Sequence, residues 1–354
     1  MPSPSESPID TSLLAGFVYA CRPECGLCCY AEPLVSADDR PKLLSIAAEP
    51  PLVTRGRFEF VRSRPDGGAC SLLEGNRCRA HAGRPSPCRE FPVTVHVGAR
   101  LQATAVLTCP GVRLDRLDGY DPEAPAGAPL GFEDELRSVR ARAGRSAARR
   151  VDESVRRRRR IQRALADQDR WEEEDDVRRD LTPRLPELLG ALDASEMADP
   201  PPRSEDGLER LPLIGPGARG PLALASGLGG WELLELAPEG GIAAERGVAM
   251  PAARPPALAP EARRRVEGYL RYWLSRDALF GTVHLAMLDH DAGTVAEWTA
   301  AELQRVAATT LARSHVLAAI ARGPVDLLRA ADLEAGIRAT DQDLLDRPTW
   351  GARL

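Results

Sequence analysis

The chain has 354 residues, of which 43% are hydrophobic and 28% are charged. This length is sufficient for two domains of ordinary size, each with its own hydrophobic core. The net charge of −5 excludes an overall basic field that would recruit nucleic acid or an anionic membrane. Neither a signal peptide nor an apolar run of about 18–20 residues is evident, so we expect a cytoplasmic protein without a membrane span.

The N-terminal third of the chain differs in composition from the rest. Residues 1–12 are rich in serine and proline and predict a disordered arm. Residues 13–120 carry all eight cysteines among many prolines and glycines. This composition predicts a small domain with little regular structure that folds around metal. Within it, residues 17–20 are strand-like and residues 38–48 are the best helix candidate.

A charged segment follows at residues 132–192, and its apolar spacing predicts helix. The arginine run 156–160 precedes the acidic run 172–176, and the two could lie on one long helix. We favour a solvated helix whose arginines pair with nearby acids over a nucleic-acid-binding strip.

Residues 193–260 contain too many prolines and glycines for a long helix. Residues 231–237 and 242–248 flank the Gly-rich turn 238–241, a pattern that predicts a β-hairpin.

Residues 261–354 return to a helical pattern. We predict helices at residues 261–289, 294–322 and about 325–338, the second of them ended by Gly323 and the proline after it. The whole pattern predicts an α+β protein. A small irregular cysteine-rich metal-binding domain is followed by a mainly helical region with a short β-hairpin.

The cysteines fall into two groups, the first within the run CRPECGLCC. The groups are Cys21, Cys25, Cys28 and Cys29, then Cys70, Cys78, Cys88 and Cys109. Thiols spaced two and three residues apart are good ligands for one metal and poor disulfide partners for each other. Eight thiolates would fill two sites or one binuclear centre. Because adjacent side chains point in different directions, Cys28 and Cys29 are expected to serve two metals, or a metal and a packing position.

Two further patterns bear on the metal. The pair Cys109-Pro110 is typical of iron–sulfur proteins. The spacing of Cys21, Cys25 and Cys28 coincides with that of radical S-adenosylmethionine enzymes. The sequence after Cys29 lacks the alternating strands and helices of their barrel, which disfavours that fold.

The first cysteine group, the stretch between Cys70 and Cys78, and the run RPSPCREFP at residues 84–92 together carry a resemblance. Over roughly residues 17–115 the sequence resembles the YkgJ-like cysteine-cluster family of zinc- or iron-chelating domains, which includes the flagellin lysine-N-methylases. Its pattern is C-x2-C-x2-CC, then a cysteine-bounded stretch, then RP-x2-CR-x-(F/Y)-P. The chain departs from it in a first spacer of three residues and in a histidine, at position 81, in place of an aromatic residue.

The resemblance implies that the cysteines ligate an iron–sulfur cluster, of the 4Fe-4S type, or zinc. The family's arginines correspond to Arg84 and Arg89, whose guanidinium groups would offset the thiolate charge. We expect a metal-binding protein whose helical region docks a protein partner or forms a dimer. The alternative is an iron–sulfur-assisted, S-adenosylmethionine-dependent protein lysine N-methyltransferase. The sequence identifies no catalytic or cofactor-binding residue and leaves the oligomeric state open.

The histidines are scattered. His81 is a candidate extra ligand, although a packing or hydrogen-bonding role is favoured. His96 could approach the metal, but a core or edge position is the favoured interpretation. His284 and His290 lie near two aspartates and could form a site, but a helix end with polar side chains explains them.

Overall fold

Helix accounts for about 51% and strand for about 19% of the described residues, which confirms the α+β class. The computed structural model describes residues 9–22, 25–30, 32–46, 51–65, 68–75, 77–122, 129–192, 213–216, 218, 221–227, 230–249, 256–345 and 352–353. Most of the predicted arm, residues 1–8, lies outside the described residues. Among the described residues, no helix is both long and apolar enough to span a membrane.

The helices and strands follow one another along the whole described chain. The helices are α1 (Arg40–Ile46), α2 (Ser86–Glu90), α3 (Glu133–Ala166), α4 (Glu174–Leu181), α5 (Leu185–Gly190), α6 (Pro260–Leu274), α7 (Asp277–Leu288), α8 (Val295–Arg322) and α9 (Ala330–Leu345). The strands are β1 (Ile9–Asp10), β2 (Leu34–Val35), β3 (Leu52–Arg55), β4 (Phe58–Val61), β5 (Leu73–Glu74), β6 (Arg77–Cys78), β7 (Val93–Val97), β8 (Leu101–Ala105), β9 (Leu213–Pro216), β10 (Pro221–Gly227), β11 (Gly230–Leu236), β12 (Ile242–Ala249), β13 (Ala257–Leu258), β14 (Leu327–Leu328) and β15 (Ala352–Arg353).

Two four-stranded sheets carry most of the strand pairing. In the first, the order is β1-β8-β7-β15, with β7 and β8 forming an antiparallel hairpin. The second sheet is antiparallel, with the order β12-β11-β10-β9. The predicted hairpin at residues 231–248 is confirmed, since β11 pairs with β12 and Trp231 lies opposite Val248. Sequence analysis missed strands β9 and β10.

The basic run and the acidic run of the charged segment lie on two helices, α3 and α4, rather than on the single one considered from the sequence. Helix α3 ends at Ala166, and Asp169 takes up a left-handed conformation (φ 55°) in the turn before α4. This turn lets Arg158 of α3 donate through Nε to Glu174 Oε1 of α4 at 2.9 Å. At this position, the basic run pairs with the acidic run, as the solvated-helix interpretation expects.

The helix predicted at residues 261–289 is likewise divided into α6 and α7. Between them lies Arg276, whose side chain is fully buried in an ion pair with Asp341 of α9. The backbone leaves the helical path where this arginine turns into the core. The spacing of apolar residues does not reveal this interruption of the helix, because apolar residues occupy both sides of it.

The prediction for α8 is confirmed at both ends. Thr294 caps the helix, with a capping box formed by Glu297, and Gly323 ends it with φ 80°. The third predicted helix was misplaced. The chain after α8 first pairs β14 with β13, so α9 begins at Ala330 rather than near 325 and continues to Leu345.

The largest hydrophobic core joins the N-terminal third of the chain to the C-terminal helices. Phe17 and Val95 belong to the same buried cluster as Tyr269 and Leu311. A separate small core contains Val35, Leu43, Val61, Cys70, Leu72 and Ala80. Full burial of one large apolar side chain contributes about 1.5–3 kcal/mol to the free energy of unfolding. The main core buries more such side chains than the small core, so it contributes more to the stability of the fold. The cysteine-bearing loops lie between the two cores.

Candidate metal centre

The structure brings all eight cysteines to one cavity of about 320 Å³. None of them forms a disulfide, and their exposure ranges from exposed at Cys21 to buried at Cys70 and Cys109. The predicted ligand set is therefore gathered at one place in the fold. That these thiols hold metal stays a prediction.

The first cysteine group lies on a tight loop. Gly26 adopts φ 63°, a conformation that favours glycine, and a short 3₁₀ turn at Leu27–Tyr30 follows. The Cys29 amide donates to Gly26 O at 2.9 Å. The turn presents Cys28 and Cys29 next to each other at the cavity wall.

The loop that carries Cys70 packs directly on this turn. The Cys70 amide donates to Cys29 O at 2.6 Å. Cys78 lies in the short hairpin β5–β6, opposite Leu73. Cys29 and Cys78 pack against the small core that includes Cys70. These three thiols therefore share one support.

Helix α2 holds Cys88 and is anchored by Asp39. The fully buried Asp39 carboxylate accepts hydrogen bonds from the Ser86 amide at 3.1 Å and from Arg89 Nη2 at 3.1 Å. Burial alone would raise the pKa of Asp39, but hydrogen bonds from Ser36, Ser86 and Arg89 outweigh it and lower that pKa. Arg89 thus holds α2 in place, whereas the sequence predicted that it would offset thiolate charge.

Cys109 lies in the loop that follows β8, and this loop runs beside residues 19–21. Tyr19 forms an antiparallel bridge with Val112, and the Ala20 amide donates to Gly111 O at 3.0 Å. A Cβ atom at Gly111 would lie 2.5 Å from Ala20 O, so the close approach requires glycine. This pairing brings Cys21 and Cys109 to the same side of the site.

Helix α9 holds the Cys109 loop from the other side. The buried Arg338 donates to the carbonyl oxygens of Leu107 at 3.0 Å, Cys109 at 2.6 Å and Val112 at 2.9 Å. Asp341 Oδ2 accepts from the Leu107 amide at 2.8 Å. Sequence reasoning missed both residues, because no motif marks them and the contact spans more than 200 positions.

This geometry agrees with the family comparison. Residues 20–110 match the model of the CxxCxxCC family, described as "Putative zinc- or iron-chelating domain". The match covers about a quarter of the chain and includes all eight cysteines. No curated protein and no solved structure shows significant similarity to the chain.

The donor set of the CxxCxxCC domain fits a thiophilic metal. Among the described residues that line the cavity there are eight thiols, one imidazole and no carboxylate. Thiolate ligands select zinc and iron–sulfur centres, whereas magnesium and calcium require oxygen ligands. Yet in the described part of the chain, no three Cys, His, Asp or Glu side chains converge closely enough to hold one ion. The eight thiols therefore share one cavity.

Electrostatics divides the thiols of the CxxCxxCC domain into two kinds. Hydrogen bonding from Cys29 lowers the pKa of both Cys28 and Cys78, and the Arg84 guanidinium lowers them further. Burial raises the pKa of Cys109 to about 12 and also raises that of Cys88. Cys28 and Cys78 are thus poised as thiolates, and the buried thiols lose their protons when metal binds. For Arg84, the expected charge-offsetting role is consistent with these shifts.

Tyr19 also lines the cavity, although sequence analysis noted only its strand-like segment. Its ring stacks on Phe132 with centroids 5.2 Å apart. Burial raises the pKa of the phenol, and the charges of Cys21 and Cys109 raise it further. The phenol therefore stays protonated and is available to donate a hydrogen bond to a thiolate.

The histidines divide by position. His81 lines the cavity, and its Nε2 lies 3.3 Å from Arg84 Nη1, so it remains the one histidine placed near the thiols among the described residues. His96 is buried in β7, outside the cavity lining. His290 stacks on Trp298, whereas His284 is buried in α7. The polar site considered for His284 and His290 is therefore not formed.

The burial of His284 predicts that the folded protein loses stability in acid. Neither ring nitrogen has a hydrogen-bond partner among the described residues, and the ring packs 4.8 Å from Trp171. Burial, together with the charge of Arg158, lowers its pKa from 6.5 to about 3. The unfolded chain therefore binds the extra proton between these values. The contribution of His284 to the free energy of unfolding should be fully present above pH 6.5. This free energy should fall by about 2 kcal/mol on going to pH 5.

The measurement is urea unfolding at pH 8 and pH 5 for the wild type and His284→Leu, with the exposed His290→Leu as a control. The difference in free energy of unfolding between the two pH values should shrink by about 2 kcal/mol in His284→Leu only. An unchanged difference would show that His284 is not the group responsible.

Proposed function

We propose that the protein binds an iron–sulfur cluster, of the 4Fe-4S type, through its CxxCxxCC domain. The observation that carries this proposal is the arrangement of eight thiols around one cavity of about 320 Å³, with no carboxylate among the described residues that line it. In a tetrahedral zinc site with Zn–S bonds of about 2.3 Å, the sulfurs lie about 3.8 Å apart and leave no such space. A cluster separates its thiolates, because each one binds a different iron.

The surroundings of the cavity support a buried, charge-compensated centre. The Cys-Pro pair at residues 109–110 lines the cavity, as does Arg84. A guanidinium group beside the thiolates offsets the negative charge that a thiolate-bound cluster carries. The cluster would supply either structural cross-linking or electron transfer. We propose that the helical region docks a protein partner or a second copy, and exposed Leu288 and Leu327 offer apolar contact there.

The test is anaerobic purification of the full-length protein. We expect a brown protein with charge-transfer absorbance and acid-labile sulfide, with iron and sulfide in nearly equal amounts. A variant in which Cys70 and Cys78 are both serine serves as the control and should have less of each. A colourless wild-type protein with stoichiometric zinc would overturn the iron–sulfur assignment and retain metal binding.

One observation favours a second function, the S-adenosylmethionine-dependent methylation of a protein lysine. The cavity is bordered by the exposed Cys21 and the exposed Arg22, so a small molecule could reach a bound centre from solvent. The Arg22 guanidinium could pair with the carboxylate of S-adenosylmethionine. Calorimetric titration of the anaerobic protein with S-adenosylmethionine distinguishes the two functions. Absence of binding leaves the metal-binding function alone.

A further inference from the structure

Two separate backbone pairings bring the cysteines together, and they involve different cysteines. The bridge between Tyr19 and Val112 places the segment of Cys21 against the segment of Cys109. The hydrogen bond from the Cys70 amide to Cys29 O, 2.6 Å long, joins the other pair. Each pairing links the first cysteine group to a different part of the second group.

The two pairings also rest on different hydrophobic cores. Cys109 belongs to the main core, together with Tyr19. Cys70 belongs to the small core, and Cys29 and Cys78 pack against that core. Since the cores are separate clusters, the two sides of the cavity are held in place independently.

The remaining cysteines follow their backbone neighbours. The Cys25 amide donates to Arg22 O at 3.3 Å, which turns Cys25 back towards the segment of Cys21. Helix α2 carries Cys88 and is anchored by Asp39, which precedes α1, and Leu43 of α1 belongs to the small core. Cys28 precedes Cys29 on the 3₁₀ turn and stands between the two sides.

We propose that the cavity holds two metal centres, each bound by four cysteines. The first, the main-core site, consists of Cys21, Cys25, Cys28 and Cys109. The second, the small-core site, consists of Cys29, Cys70, Cys78 and Cys88. This inference rests on the proposed function and adds that the metal is divided between two sites. Four thiolates complete one iron–sulfur cluster.

The division gives the adjacent residues Cys28 and Cys29 separate roles. Cys28 and Cys29 follow each other in the chain and line the same cavity, yet each belongs to a different site. The two sites also have different outer supports. Arg338 holds the Cys109 loop, whereas the amide of Ala69, next to Cys70, donates to Pro238 O in the β11–β12 turn at 3.0 Å.

The experiment measures iron, zinc and acid-labile sulfide per chain in the anaerobic full-length protein and in single serine variants. Cys21→Ser represents the main-core site and Cys78→Ser the small-core site, since neither thiol is fully buried. Each variant should keep about half of the wild-type metal. After reduction, the electron paramagnetic resonance spectra of the two variants should differ and should together account for the wild-type spectrum. If the metal is zinc, the wild type should hold two ions and each variant one.

Complete loss of metal in both variants, with circular dichroism showing intact helices, would establish a single shared centre and overturn the division. Retention of the full wild-type metal content in either variant would also overturn it, because one site would then not depend on its assigned ligand. Wild-type protein that binds no metal would refute the proposed function itself. The two failures are therefore distinguishable.

Discussion

Asp341→Asn should lower the free energy of unfolding by about 3–5 kcal/mol, the usual cost of breaking a buried ion pair. Asp341 and Arg276 are both fully buried, and Asp341 Oδ1 accepts from Arg276 Nη1 at 2.8 Å. Asparagine keeps the shape but removes the charge, so Arg276 is left as an uncompensated cation in the core. The amide group of asparagine could also meet the Leu107 amide, which would then place a donor against a donor.

The measurement is chemical unfolding followed by far-ultraviolet circular dichroism. The matched control is Asp291→Asn in the exposed loop before α8, which should change the free energy of unfolding by less than about 0.5 kcal/mol. The double variant Arg276→Met with Asp341→Asn should be more stable than Asp341→Asn alone, because no buried charge remains unpaired. Equal stability of Asp341→Asn and the wild type would refute this account of the core.

Arg338→Met should weaken metal binding by about 10–100-fold, the usual effect of removing a group that orients a ligand. Methionine fills much of the same volume but leaves the carbonyls of Leu107 and Val112 without their donor, and Cys109 O keeps only the bond from the Val112 amide. The loop that presents Cys109 then loses its main polar tie to α9. Stability should fall as well, by about 1–3 kcal/mol for each buried carbonyl that water cannot reach.

Competition with a chelator measures the metal affinity directly, and the reduction potential or the absorbance spectrum reports on the centre itself. Arg329→Met, an exposed position just before α9, is the control and should leave both unchanged. Arg338→Lys should recover only part of the affinity, since one ammonium group cannot reproduce the planar fork that reaches three carbonyls. Unaltered affinity and spectrum in Arg338→Met would show that α9 does not position Cys109.

Local patterns predicted the parts of the site that depend on neighbouring residues. The spacing of Cys25, Cys28 and Cys29 indicated a metal site, and these thiols do line one cavity. The capping pattern at Thr294 and the glycine at position 323 fixed both ends of α8, because helix ends depend on a few adjacent residues.

Contacts between distant parts of the chain could not be predicted in this way. Arg338 and Asp341 support a loop more than 200 positions earlier, and their sequence surroundings are those of an ordinary helix. Arg89 was expected beside the thiolates, yet it binds Asp39, a residue 50 positions away. The division of 261–289 into two helices has the same origin, because the buried pair of Arg276 and Asp341 becomes apparent only once α9 packs against α6.

The shared main core limits how the metal-binding domain could be transplanted. Residues 20–110 match the family, yet Val95 and Cys109 are buried in one cluster with Tyr269 and Trp273. An excised fragment of this length would carry an uncovered apolar face, and the Cys109 loop would have lost its arginine. In this protein, the chelating domain is therefore not expected to fold correctly on its own. Engineering that moves it into another scaffold would have to carry helices α6 and α9 along with it.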